Sequence, residues 1–210
     1  MGELVSVNVG GARQIGVSRR GRPVISAIGK SPVTGRVAVR GVNLAGDDQA
    51  DRSVHGGPDK GVYAYASEDT TWWSTLLGLE LGPGAFGENL TTAGVDVSGA
   101  VIGERWQIGS TELEVCQPRQ PCYKLAIAFE DPGMVRRFAQ AGRPGAYLRI
   151  PREGQLAAGD AVEIRARPDH AITIAIVADA SLLSFAADAP ALPPGLAAWM
   201  RERSAAASPT

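Results

Sequence analysis

The chain is 210 residues long, 44% hydrophobic and 20% charged, with 21 basic and 22 acidic side chains and a formal net charge of −1. That size suits one sizeable soluble core. The lack of any like-charge block of five excludes a nucleic-acid polymer as partner, and no apolar run approaches the ~20 residues that cross a bilayer.

The N-terminus lacks a basic region followed by an apolar core, so a cytoplasmic location is expected and no membrane association. Residues 4–9 alternate valines with polar residues, the period of a half-buried strand, and 36–40 repeat the pattern. Residues 41–58 form a long, polar, glycine-rich loop, a length usually kept for function. A short apolar strand at 62–66 leads to a helix over 67–77. Ser67 is its expected N-cap, Gly78 its stop, and Trp72, Trp73, Leu76 and Leu77 its expected buried face.

Short strands follow at 88–92, 105–108 and 112–115. Pro121 is expected at the first helical position of a helix reaching about Phe129. A second helix covers 132–141, with Met134, Val135 and Phe138 at helical spacing. Strands at 146–150 and 161–165 flank glycine turns. Beyond Pro168 come a strand-like run at 172–177, alanine-rich helical segments at 181–187 and 195–203, and an expected frayed tip at 204–210. Many short strands with few helices predict a mainly β fold with some α: an antiparallel or mixed β-barrel over 1–168, with a small helical C-terminal appendage over 169–210.

Two cysteines, Cys116 and Cys122, are too few for a disulfide scaffold or a protein-bound iron–sulfur cluster. They and the two histidines lack zinc-site spacing. Cys122 lies in the stretch QPRQPCY at 117–123. With Pro121 opening the helix, Cys122 falls in its first turn, where unpaired N–H groups and the dipole favour a thiolate. Arg119 adds positive charge. A thiolate suits a nucleophile or a soft metal ligand, and a buried inert thiol is the alternative. Cys116 ends an alternating strand, where packing is the expected role.

His55 precedes Gly56 and Gly57, which let a ligand approach the backbone closely. His55 could donate a proton and Lys60 could meet a phosphate, although a solvated polar loop has the same composition. Asn89 could read a heterocycle edge with its paired donor and acceptor, or serve as a turn residue. Arg143, between glycines, is an anion clamp or part of a helix-ending turn. Trp72 and Trp73 are expected in the core.

Five stretches occur in order: GDDQADRSVHGGPDK at 46–60, GAFGENLTT at 84–92, IGERWQIGSTELEV at 102–115, QPRQPCYKL at 117–125 and GRPGAYLRI at 142–150. Together they resemble the MOSC family, named for the C-terminal domain of molybdenum cofactor sulfurase, and within it the bacterial 6-N-hydroxylaminopurine resistance proteins. The resemblance implies a β-barrel-like fold with molybdenum cofactor (molybdopterin) in a cleft, Cys122 as the metal ligand, and reduction of small N-hydroxylated compounds such as hydroxylaminopurines. Cys116 stands where that pattern has threonine or serine.

Lys60, Arg119 and Arg143 with adjacent glycines, including Gly56 and Gly57, could hold the cofactor phosphate. Asn89 is a further cofactor contact, and His55 could protonate the leaving oxygen. Pyridoxal phosphate is not expected. No flavin, haem or iron–sulfur site is recognisable, so electrons would come from a separate flavoprotein donor. A homodimer is compatible with this reading. Three rival readings stay open at this stage: a cysteine hydrolase built on Cys122, His55 and Asn89, a non-redox carrier of cofactor or sulfur, and a catalytically silent binding domain.

Overall fold

A computed structural model describes residues 2–18, 20–50, 56–179, 182, 192 and 194–207. In chain order the strands are β1 (Gly2–Val9), β2 (Arg13–Val17), β3 (Pro23–Ser26), β4 (Ser31–Val33), β5 (Val37–Arg40) and β6 (Asn43–Leu44). A 3-10 turn (Pro58–Lys60) precedes β7 (Val62–Ala66), α1 (Ser67–Leu77), β8 (Leu90–Ala93), β9 (Arg105–Ile108) and β10 (Thr111–Pro118). Then come α2 (Tyr123–Ala128), α3 (Met134–Gln140), β11 (Ala146–Arg152), β12 (Gly154–Leu156), β13 (Ala161–Ala166), α4 (Ile174–Ala178) and α5 (Pro194–Ala207).

Seven strands close into a barrel in the order β13-β9-β10-β11-β7-β8-β1, with β1 returning to β13 and β4 extending the sheet beyond β1. Closure removes the sheet edges that would otherwise invite pairing with other chains. The seam is short: Gly2 faces Val162 and Glu3 faces Ala161. A β-carbon on Gly2 would collide with Val95, so the seam needs the smallest residue. All barrel pairings are antiparallel except β7–β8, which is parallel and is bridged by α1. The sheet is therefore mixed, as a crossover helix between parallel neighbours requires. Two small sheets, β2–β3 and β12-β5-β6, complete the set.

Every residue of β7 is buried, and its alternation serves two cores. Val62, Ala64 and Ala66 join Leu4, Leu90, Trp106 and Leu113 in one cluster. Tyr63 and Tyr65 point the other way, into a second cluster with Trp73, Phe86, Leu125, Met134 and Phe138. There the Trp73 indole lies parallel to the Phe138 ring at 6.0 Å and donates from Nε1 to Tyr65 Oη at 2.9 Å. Tyr65 and Tyr63 donate in turn to the carbonyls of Arg143 (3.0 Å) and Pro144 (2.8 Å). The buried hydroxyls are thus satisfied, as low-dielectric surroundings demand.

Several elements differ from the sequence reading. The N-cap of α1 is Ala66, not Ser67, while Gly78 does end the helix in the left-handed region at φ 65°. The buried face of α1 is Asp69, Thr70 and Trp73. Leu76 is 54% exposed, and Trp72 lies outward beneath the Arg143 guanidinium at 4.8 Å. Helix α2 begins at Tyr123, so Cys122 is its N-cap residue in extended conformation and not part of its first turn.

The run 172–177 is not a strand. A single bridge joins Thr173 to Val101, and Thr173 then caps α4 through its hydroxyl. Ile172, Ile174, Val177 and Met200 belong to the barrel's own hydrophobic cluster, so the described part of the tail packs onto the barrel. Helix α5 continues to Ala207, and the segment expected at 181–187 lies outside the described residues apart from Leu182. Among the described residues no helix is long and apolar enough to cross a membrane.

Trp73→Ala would empty the second cluster and leave the Tyr65 hydroxyl short of a partner. The expected loss is about 3–5 kcal/mol of unfolding free energy, read by chemical denaturation.

Candidate functional site

A cleft opens where the outer side of β7 meets three loops: the one between β3 and β4, the one following β6, and the one linking β10 to α2. Its walls include Lys30, Asp47, Gln49, Lys60, Tyr63, Asn89, Arg119, Cys122 and Tyr147. They enclose a cavity of about 100 Å³ that opens to solvent, smaller than the roughly 300–1,000 Å³ of small-molecule and cofactor clefts.

The floor is polar and internally bonded. Lys30 and Asp47 form an ion pair whose side chains are only 7% and 3% exposed. Asp47 also accepts from Gly10 N–H (2.9 Å) and from Asn89 Nδ2 (2.9 Å). Asn89 Oδ1 accepts from Tyr63 N–H at 3.0 Å, and Nδ2 also reaches Asn8 O at 3.3 Å. Beside it the Glu88 carboxylate accepts from Gly84 N–H (2.6 Å), Phe86 N–H (3.0 Å) and Thr91 Oγ1 (2.9 Å). Burial lowers the Lys30 pKa more than Asp47 raises it, and burial also raises that of Glu88. Both shifts are the cost of removing charge from water.

Arg119 is the cleft's fixed cation. It is buried, donates to the Phe86 carbonyl, and its guanidinium lies 5.1 Å from the Tyr63 ring and 5.7 Å from the Phe138 ring. Burial disfavours its charge, but Tyr63, Tyr147 and Cys122 outweigh that and raise its pKa. Burial pushes the Tyr63 and Tyr147 hydroxyls up, so both stay neutral near neutral pH. Cys122 thus sits within electrostatic reach of a permanent positive charge, beside hydroxyls that carry none. It is half-buried. Cys116 differs. It is packed in β10, donates to Glu114 O at 3.3 Å, accepts from Arg149 Nε at 3.0 Å, and is pushed by burial up to about 11.

Four residues expected from the sequence therefore meet in one cleft: Cys122, Lys60, Asn89 and Arg119. The Asn89 amide is committed to Tyr63, Asn8 and Asp47, so it shapes the cleft and has no spare edge for a heterocycle. The same commitment removes the third member of a Cys122–His55–Asn89 triad. Gly56 and Gly57 are not in the cleft wall. Gly57, at φ 98°, opens the 3-10 turn that presents Lys60. Arg143 lies elsewhere, ion-paired with Asp69 and stacked on Trp72. His55 is outside the described residues.

Lys30, Tyr63 and Tyr147 were not legible as site residues. Nothing local in Gly29-Lys30-Ser31-Pro32 announces a buried lysine, because its partner is 17 positions away. The described residues contain no group of three or more His, Cys, Asp or Glu able to hold a metal by themselves.

The family model of the MOSC domain matches residues 51–163. The chain is 36% identical over 171 residues to the uncharacterized protein YflK of Bacillus subtilis, covering 81% of this chain and 76% of YflK. It is 34% identical over 151 residues to protein YiiM of Escherichia coli, covering 70% of this chain and 66% of YiiM. A protein named Reductase from Gibberella moniliformis is 32% identical over 171 residues, but this chain spans only 30% of it. Among solved structures, YiiM from Geobacillus stearothermophilus is 29% identical with a TM-score of 0.75, covering 97% of this chain and 100% of that one. YiiM from Escherichia coli, at 23% identity and TM-score 0.72, shares the fold.

Asp47→Asn would strand a buried ammonium, at an expected cost of about 3–5 kcal/mol. Because the folded-state pKa of Lys30 is lowered, the unfolded chain binds the extra proton, so stability rises with pH toward the lysine's ordinary value of 10.5. Denaturation at neutral and alkaline pH should show the deficit narrowing as pH rises. Alkylation with iodoacetamide at mildly alkaline pH should modify Cys122 well ahead of Cys116, roughly tenfold or more, as read by peptide mapping.

Proposed function

The chain belongs to the MOSC domain family, and on that premise we propose that it is a molybdenum-cofactor-dependent reductase of N-hydroxylated compounds such as hydroxylaminopurines, with Cys122 as the protein ligand to the metal. One observation carries the proposal: the half-buried Cys122 thiol shares a cleft with the protonated Arg119 and with Lys30 and Lys60. A soft anionic sulfur suits molybdenum. With no larger cluster of metal-binding side chains among the described residues, Cys122 would complete a coordination sphere otherwise supplied by the cofactor's own sulfurs.

The donor set fits the rest of the group. Lys60 and Arg119 supply positive charge for a phosphate. Gln49 lines the cleft, and its Nε2 bonds to Val42 O (2.8 Å) and Lys60 O (3.3 Å) fix the amide orientation. Its Oε1 is buried without a hydrogen-bond partner among the described residues, an unmet acceptor that a pterin N–H would satisfy. Neutral Tyr63 and Tyr147 bound the cleft with rings 5.1 Å apart.

When bound, the cofactor supplies a metal able to accept oxygen from an N–OH group. Overall, the N-hydroxylated compound takes two electrons and two protons and yields the amine and water. His55 is our assignment for delivering a proton to the departing oxygen. The electrons come from a separate flavoprotein. The relative named Reductase, in which this unit is less than a third of the whole, is consistent with further parts being needed.

The test is elemental analysis of protein made in a host that synthesises the cofactor. The wild type should carry molybdenum and reduce a hydroxylaminopurine in the presence of a chemical reductant. Cys122→Ala should lose both the metal and at least about 99% of the rate, the scale expected when a group that touches the reacting centre is lost. Equal metal in both proteins would remove Cys122 from this role.

A further inference from the structure

The charge of this chain is unevenly placed. Between residues 4 and 46 there are seven basic residues and no acidic one, although the chain as a whole carries −1. Lys30 is ion-paired with Asp47 and Arg36 with Asp160. Arg13, Arg20 and Arg22 are exposed, and none has an ion-pair partner among the described residues. All three belong to the hairpin of β2 and β3, which stands outside the barrel. The same hairpin exposes two large apolar side chains, Val17 (58%) and Ile25 (45%). Apolar centres ringed by arginine are the usual anatomy of protein interfaces.

The hairpin is also joined to the cleft. Its β3 strand runs directly into Ser26, Ala27 and Ile28 of the cleft wall. Its root is tied down by Gly10 N–H to Asp47 (2.9 Å) and Ala12 N–H to Asp48 (3.2 Å). The Arg13 guanidinium occupies the space that a β-carbon on Gly29 would need, one residue before Lys30. A second groove, bordered by Arg13, shares Ile28 and Lys30 with the cleft.

We infer that the β2–β3 hairpin is the docking surface for an acidic electron-donating protein, steered by Arg13, Arg20 and Arg22 to the mouth of the cleft. This inference rests on the reductase reading. Docking there brings the donor beside the wall that holds Lys30. Opposite charge raises encounter rates and is screened by salt. A nucleic acid is disfavoured by the short, isolated patch. A membrane surface is disfavoured because the hairpin has no aromatic residue to anchor at an interface.

The test uses flavodoxin, a small acidic flavoprotein, as the probe. Oxidised flavodoxin is titrated against the full chain at low and high salt, which reports docking whatever the chain's catalytic activity. Wild type should bind, with affinity falling as salt rises. Arg13→Glu with Arg20→Glu and Arg22→Glu should bind at least about tenfold more weakly, with the salt dependence gone. Glutamine at the same positions should give an intermediate loss, which keeps the comparison readable should the glutamates disturb folding. In the molybdenum-loaded protein, turnover driven by reduced flavodoxin should fall in parallel, while turnover driven by reduced methyl viologen, which needs no docking, should not change.

Salt-independent binding, no binding, or equal binding by the variants would overturn the inference. So would tighter, arginine-dependent binding to phosphatidylglycerol vesicles than to flavodoxin. Failure of viologen-driven turnover in the wild type would instead count against the reductase reading, leaving the binding result to stand separately.

Discussion

The buried ion pair between Lys30 and Asp47 is the interaction on which the site depends. Each charge would be expensive alone inside the protein, and each removes most of the other's cost. Asp47 spends its remaining capacity on the Gly10 backbone and on Asn89, and Asn89 fastens the start of β7 and the end of β1. One carboxylate thus connects the hairpin root, the polar loop after β6 and two barrel strands. The loops that form the cleft have little regular structure of their own, so this node, with the Gln49 bonds to Val42 and Lys60, sets their position in the cleft wall.

The barrel was largely legible because strand periodicity is local. The alternation of residues 4–9 and the glycine-bounded runs around 105–115 and 146–150 carry their own registers. Even so, β7 was legible only as an apolar strand. That its two faces serve different clusters follows from α1, α2 and α3 packing over Tyr63 and Tyr65, which no local pattern states. Strands β2, β3, β4, β6 and β12 went unread, being short and, for the most part, set among arginine, proline and glycine. The buried face of α1 was misread because Trp72 is held outward by a cation–π contact with Arg143, 71 positions away in sequence. Helix α2 began later than Pro121 suggested, which puts Cys122 just outside the helix.

The same locality divides the site. Cys122, Lys60 and Arg119 lie in segments distinctive enough to single out. Lys30 and Tyr147 enter only through tertiary contacts. The fate of the two cysteines shows what folding adds: Cys116 is enclosed and its thiol is pushed up by burial, whereas Cys122 is placed at a cleft beside a guanidinium that cannot lose its proton. Sequence neighbours suggested reactivity at one of them, but burial and charge around each decide it.

The barrel seam has a consequence for how the chain reaches this state. Strands β9 and β10 meet through the tight turn at Gly109 and Ser110, and β7, α1 and β8 are consecutive, so both units can assemble from near neighbours. The ring itself closes only when Gly2 and Glu3 find Val162 and Ala161, almost the whole barrel sequence apart. Such long-range closure carries the largest loop-entropy cost and is met latest in assembly. Until then β1 is held by β8 and β4 while its first residues and β13 leave an open edge, and that edge is where the chain can pair with another during folding.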